Sequence, residues 1–209
     1  MYLVKTPWWL RMFYPFLTWR IKTSGKKIYL TFDDGPHETA TPFVLDLLKQ
    51  YNARATFFCI GKNVAKHPAI YERVLAEGHS VGNHTMNHVN GWKVNDAVYV
   101  DEVTQAGVLI RSDLFRPPYG RIKRSQQRKL KTINPKLKTI MWDVLSGDFD
   151  TGLPPEGCLA YVLYHTKAGS IIVFHDSTKA WERMSFALPK VLEHFSKEGF
   201  EFAVIPGIL

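Results

Sequence analysis

Two adjacent carboxylates, Asp33 and Asp34, end the apolar run Ile28-Tyr29-Leu30-Thr31-Phe32, and Gly35-Pro36 then turns the chain. A short apolar run closed by turn residues reads as a buried strand. Parallel α/β sheets gather their chemistry at the carboxyl ends of strands, which is where a catalytic or metal-binding pair belongs. An ordinary surface turn would also carry Asp before Gly-Pro. Further along, His84 and His88 are spaced i, i+4, so one helical turn would aim both imidazoles at a single point. Joined by a strand-end carboxylate, they make a two-His, one-Asp ligand set with a position left open. A divalent ion in such a set acts as a Lewis acid and lowers the pKa of water.

The elements that must position these residues alternate along the chain. Strands are predicted at 28–32, 55–59, 79–82, 114–116, 138–142, 170–174 and 201–204. Helices are predicted at 41–51, 63–77, 95–112, 124–132, 156–167 and 184–197. Seven strands alternating with helices imply one parallel α/β domain. Polar residues follow almost every strand: Asp33 and Asp34, then His84 to His88, Arg116 to Gly120, Trp142 to Asp148, and His175-Asp176.

At 209 residues and 45% hydrophobic, the chain suits a single well-buried domain. Lys and Arg number 27 against 19 acids, for a net charge of +8. Much of the excess is local, since residues 114–142 hold nine cations and no acid. This stretch reads either as a solvated helix face or as a footprint for an anionic polymer such as nucleic acid. Cys59 and Cys158 are the only cysteines, too few and too far apart for a disulfide framework or a thiolate metal site.

Residues 1–25 form a separate aromatic and basic segment, with Trp8, Trp9, Phe13, Tyr14, Phe16 and Trp19. Arg11 and Pro15 interrupt it, so it is not a membrane span of about 20 apolar residues, and it has no recognisable cleavage site. It either packs on one end of the domain, the expectation adopted here, or lies on a membrane surface. A cytoplasmic or membrane-peripheral monomer is expected.

Taken in order, Thr31-Phe32-Asp33-Asp34-Gly35-Pro36, His84-Thr85-x-x-His88, Arg116-Pro117-Pro118-Tyr119-Gly120 and His175 resemble the motifs of polysaccharide deacetylases, the NodB-homology group or carbohydrate esterase family 4. The resemblance covers residues 26 to about 204. It implies a distorted, incomplete seven-stranded (β/α) barrel over 26–209 and metal-dependent removal of acetyl groups from sugars. By position, Asp34, His84 and His88 would hold one divalent ion, zinc first, with cobalt or manganese able to stand in. Asp33 would be the general base, paired with Arg116. The backbone N–H of Tyr119 would stabilise the oxyanion, and His175, tuned by Asp148, would be the general acid. Those roles are chemically coherent: a neighbouring cation keeps a carboxylate ionised, and an amide nitrogen leaves poorly unless an acid protonates it. Pro118, Tyr119, Val173, Trp92 and Trp181 are candidates for touching substrate.

Two departures from the family pattern stand out. Leu145-Ser146-Gly147-Asp148-Phe149 replaces the usual Asp-Ser-x-Asp-Trp, and Val173-Phe174-His175 replaces Leu-x-His. Both leave the ligands and proton-transfer groups in place. The expected activity is N-deacetylation of N-acetylglucosamine-containing glycans of peptidoglycan or chitin type. An O-acetyl esterase is the enzymatic alternative, and an anionic-polymer binder is the non-enzymatic one. With the ligand set intact, no nucleic-acid partner is expected.

Overall fold

The computed structural model describes residues 2–207. Met1, at the head of the N-terminal segment, and Ile208 and Leu209, at the end of the domain, lie outside the described residues. The strands are β1 (Lys27–Asp33), β2 (Ala55–Cys59), β3 (Ser80–Asn83), β4 (Leu114–Phe115), β5 (Lys138–Thr139), β6 (Val144–Leu145), β7 (Ile171–His175) and β8 (Glu201–Phe202). They form a curled parallel sheet in the order β5-β4-β3-β2-β1-β7-β6, with β8 beside β1. The helices are α1 (Trp8–Phe13), α2 (Ala40–Gln50), α3 (Gly61–Lys66), α4 (Pro68–Ala76), α5 (Asp96–Leu109), α6 (Arg124–Ile133), α7 (Pro155–His165) and α8 (Trp181–Lys197). This is the incomplete barrel expected from the motifs.

Strand alternation divides the apolar residues between two cores. Ile28, Leu30 and Phe32 of β1 and Ile172 and Phe174 of β7 face the helices, where Phe32 stacks on Phe57 and Phe174. Tyr29, Phe58, Leu114, Ile140, Ile171 and Ile205 fill the barrel interior. The interior then turns polar in steps set by register. Tyr29 pairs with Ile171 in the lowest layer, Thr31 with Val173 above it, and Asp33 with His175 at the mouth.

Three elements differ from the sequence-based expectation. The helix predicted over 63–77 is two helices, because Pro68 cannot supply the N–H of a continuing turn and starts α4 instead. Only 138–139 of the strand predicted at 138–142 forms a strand, β5; β6 at 144–145 lies in the stretch read as loop after it, at the opposite edge of the sheet. N-terminal residues pair with the stretch that joins them. Thr18 N–H donates to Thr139 O at 2.9 Å and Met141 N–H to Thr18 O at 2.7 Å. Thr6 N–H donates to Asp143 O at 3.0 Å and Leu145 N–H to Val4 O at 2.8 Å. Residues 2–21 also include α1, which the sequence reading did not predict.

Asp143 is what fastens this segment. Its fully buried carboxylate meets Lys5 Nζ at 2.7 Å, the Arg11 guanidinium, Arg20 Nε at 3.4 Å and Ser170 Oγ at 2.6 Å. A buried carboxylate of this kind persists only where partners satisfy it. Leu17 and Trp19 add a small apolar cluster with Met141.

Candidate active site

The mouth of the barrel is built from strand ends. Asp33 closes β1 and is almost fully buried, with Oδ1 2.6 Å from Nη1 of the wholly buried Arg116. Arg116 in turn donates to Thr31 Oγ1 at 2.8 Å, Ile140 O at 3.3 Å and Met141 O at 3.0 Å, and lies 4.0 Å over the Phe58 ring. Burial pushes the Asp33 carboxyl up, but the charge of Arg116, with that of His175 and the Arg116 hydrogen bond, outweighs it. The net effect holds Asp33 below the ordinary carboxylate value and keeps it ionised.

Asp34, His84 and His88 converge beside it, with ligand atoms all within 4.8 Å of one another. His88 Nε2 lies 3.3 Å and His84 Nε2 3.8 Å from Asp34 Oδ1. That oxygen is buried and has no hydrogen-bond partner among the described residues. A buried anionic oxygen left unpartnered among imidazole nitrogens is what a cation site requires. The Nδ1 of His84 donates to Arg116 O at 2.7 Å, which leaves Nε2 as the free ligand atom. Burial lowers the His84 pKa to about 4 and lowers that of His88 as well, so both imidazoles are neutral, the form that binds metal. The residues fit one divalent cation.

The two histidines do not share a helical turn, contrary to the reading of their i, i+4 spacing. They sit on a loop in which Thr85 and His88 both take positive φ. Asn83 and Glu102 hold that loop: Thr85 N–H donates to Asn83 Oδ1 at 2.9 Å, and Asn87 N–H to Glu102 Oε2 at 2.7 Å. Among the described residues, five non-glycines have positive φ, and four of them (Asp34, Thr85, His88 and Tyr119) belong to this site. Such conformations cost about 1–3 kcal/mol each, and their clustering marks a functional constraint.

On the other flank, His175 Nδ1 pairs with Asp148 Oδ1 at 2.7 Å, and the His175 N–H donates to Asp148 Oδ2 at 2.6 Å. Burial alone would lower the His175 pKa, but Asp148, with help from Asp34 and Asp33, raises it to about 10. Phe149 stands edge-on to the His175 ring at 5.3 Å and is itself backed by Tyr2 at 5.0 Å. The N-terminal segment therefore supports one wall of the site. Arg183 Nε donates to Asp148 O at 2.7 Å, fixing the loop from behind.

The remaining candidates divide. Tyr119 lies on a 3-10 turn that starts at the buried Pro118, with its ring edge-on to His88 at 4.6 Å. Trp92 is exposed, stacks under Arg121 at 3.9 Å and borders the same cleft as Tyr119. Val173 is buried one layer beneath His175, registered with Thr31 and with Leu145. The two departures from the family pattern are thus neighbours. The Trp181 ring packs edge-on against Phe43 at 5.1 Å, between α8 and α2.

Sequence reading noted Asp176 but gave it no role. It is fully buried, accepts the Gly35 N–H at 3.0 Å and a hydrogen bond from Thr41, and donates its own N–H to Asp33 O at 3.2 Å. A Cβ at Gly35 would stand 2.1 Å from Asp176 Oδ2, so this close approach demands glycine. Burial, with Asp34 adding to it, raises the Asp176 pKa to about 8. The residue holds the Asp33–Pro36 turn in place. Its only sequence signal was adjacency to His175.

Comparison with known proteins agrees with this geometry. Residues 20–136 match the polysaccharide deacetylase family. The chain is 34% identical over 200 residues to a peptidoglycan-N-acetylglucosamine deacetylase of Bacillus cereus, covering 93% of each. The chain belongs to the polysaccharide deacetylase family. It is also 34% identical over 202 residues to a chitooligosaccharide deacetylase of Bradyrhizobium sp., covering 88% of this chain and 90% of that one. A crystal structure of a peptidoglycan N-acetylglucosamine deacetylase superposes with a TM-score of 0.84 at 31% identity, covering 91% of both chains.

Proposed function

We propose that the protein is a metal-dependent deacetylase of N-acetylglucosamine units in peptidoglycan- or chitin-type glycans. One observation carries the reading. Asp33 and His175 are registered neighbours on β1 and β7, each locked to a buried partner of opposite charge, beside the Asp34, His84 and His88 cluster that can hold one divalent cation. The named relatives at 34% identity support the amide over the ester as the bond broken. Two imidazoles and one carboxylate suit zinc, with cobalt or manganese able to replace it.

When bound by Asp34, His84 and His88, the ion supplies Lewis acidity, polarising the acetyl carbonyl and acidifying water. Asp33 accepts the proton of the attacking water, and Arg116 stabilises its ionised form until it does. The backbone N–H of Tyr119 donates to the oxygen on which negative charge develops. Asp148 occupies His175 Nδ1, so the proton leaves from Nε2 to the glucosamine nitrogen as the C–N bond breaks. The products are acetate and a free amine. Neither Asp33 nor His175 is a metal ligand, and both remain free to exchange protons.

The test is acetate release from a panel of N- and O-acetylated oligosaccharides. Activity on N-acetylglucosamine oligomers should vanish on chelation and return with zinc. Asp34→Asn should bind zinc poorly by elemental analysis and should not be rescued by it. Full activity after exhaustive chelation, or activity confined to O-acetyl substrates, would overturn the reading.

A further inference from the structure

The chemistry above leaves the aromatic side chains of α1 unused, and most of them face water. Trp8, Met12 and Phe13 are 66–70% exposed, and Leu3, Trp9 and Phe16 are exposed beside them. Helix α1 buries none of its own residues. A helix docked on a core normally turns its apolar stripe inward. Here the inward contacts are those of Leu10, packed on the Leu17, Trp19 and Met141 cluster, and of Arg11, which reaches the buried Asp143 and donates to Thr6 O at 3.1 Å. Lys5 and Arg20 hold the same carboxylate from either side of the helix in sequence. The polar anchor is in the protein, and the apolar face is presented outward on a fixed mount.

Cations lie across a cleft from the residues that follow α1. A cleft of about 430 Å³ separates Tyr14 and Phe16 from Arg121 and Arg124. The Arg124 guanidinium lies 5.7 Å from the Tyr14 ring. Among the described residues neither Arg121 nor Arg124 makes an ion pair. Exposed Trp and Phe on α1, continued by Tyr14 and Phe16 opposite two guanidinium groups without ion pairs, match the interface of an anionic bilayer, where aromatic rings sit at headgroup depth and each basic residue adds electrostatic attraction. Six helical residues span about 9 Å, far short of a hydrocarbon core of about 30 Å, so α1 can lie in the interface but not cross it.

We propose that α1 and Phe16 form a membrane-docking face, with Arg121 and Arg124 pairing with the headgroups of anionic phospholipids. The cleft between them continues to Tyr119, whose ring lies against His88. A docked bilayer therefore sits beside the mouth of the barrel.

The experiment is co-sedimentation of the full chain with vesicles of equal parts phosphatidylglycerol and phosphatidylcholine, against vesicles of phosphatidylcholine alone. Binding to the anionic vesicles is expected, together with quenching of tryptophan emission when the phosphatidylglycerol is brominated. Trp8→Ser/Phe13→Ser should weaken partitioning at least about tenfold, since the apolar contact is lost. Arg121→Gln/Arg124→Gln should weaken it by about fivefold per charge, and high salt should mimic that loss. Both variants change exposed side chains, and unchanged melting curves would verify their fold. The proposal fails if the native protein neither sediments with anionic vesicles at low salt nor is quenched by the brominated lipid. It also fails if folded Trp8→Ser/Phe13→Ser binds as well as the native chain. Light scattering that shows a dimer abolished by the same variant, with no vesicle binding, would assign the face to a second copy instead.

Discussion

Asp33 is held by charge, so replacing it by asparagine should damage stability and rate together, by amounts the structure allows to be worked out. Asp33→Asn keeps the shape and one acceptor but removes the negative charge beside Arg116. Two unit charges about 4 Å apart in an effective dielectric of about 20 attract by about 4 kcal/mol. The 2.6 Å contact in a fully buried setting falls in that range. Removing one partner of a buried pair typically costs about 3–5 kcal/mol. Thr31 Oγ1 and the carbonyls of Ile140 and Met141 still solvate the guanidinium, so the lower end, about 3 kcal/mol, is expected. For a chain of this size that lowers the melting temperature by roughly 6–12 °C. The rate should fall by about 10²–10⁴, the usual contribution of a general base.

A double-mutant cycle in urea with Asp33→Asn, Arg116→Met and the pair, on metal-free protein, isolates the coupling; acetate release is measured in parallel on metal-loaded samples. The combined variant should be more stable than the sum of the two losses predicts, yet no more active. The pH sign follows from the lowered folded-state pKa: the Asp33 contribution is present above its unfolded value of 3.8 and is lost as pH falls through the folded value. The gap between native protein and Asp33→Asn should therefore close on acidification. Additive losses in the cycle, with Asp33→Asn as stable as the native chain, would refute the argument from charge. A folded, metal-loaded Asp33→Asn that kept its rate within about tenfold would refute the role of base.

For His175 the sign is reversed: its raised folded pKa of about 10 contributes stability that is full below the unfolded value of 6.5 and is lost as pH rises through 10. Metal-free Asp148→Asn should be less stable than the native protein at neutral pH, with the difference shrinking above pH 10, as urea melts at two pH values will show. Val173→Leu adds one methylene beneath His175 and beside Leu145, so the propionyl-to-acetyl rate ratio should fall about fourfold, from ~0.8 kcal/mol of packing; identical ratios would show that Val173 does not set the acyl space. Asp143→Asn strips Lys5, Arg11 and Arg20 of their shared counter-charge, so limited proteolysis before Lys26 should accelerate and stability should drop by about 3 kcal/mol; an unchanged cleavage rate would count against the clamp.

Local patterns were enough to put the chemistry at the ends of strands. Each apolar run stops at its polar residue, so the positions of Asp33, His84, Arg116 and His175 could be read from neighbours in the chain, and the ordered motifs grouped Asp34 with His84 and His88. Partner choice was not local. The i, i+4 spacing of the histidines suggested a helix, but hydrogen bonds accepted by Asn83 and Glu102 hold a loop with positive φ, a conformation that spacing does not encode. Trp181 had the composition of a sugar platform, yet Phe43 on another helix claims its ring. Nothing near Asp143 in sequence announced a clamp, because Lys5 lies 138 residues away and Arg11 132. Asp176 reaches Gly35 across 141 residues, and only that approach explains why the turn needs glycine. The division of residues 138–145 between two sheet edges likewise depended on N-terminal backbone supplying the missing hydrogen bonds. Periodicity reports which face a residue turns to its own element; what meets that face is decided by chain closure over a hundred residues or more, and only the folded structure contains it.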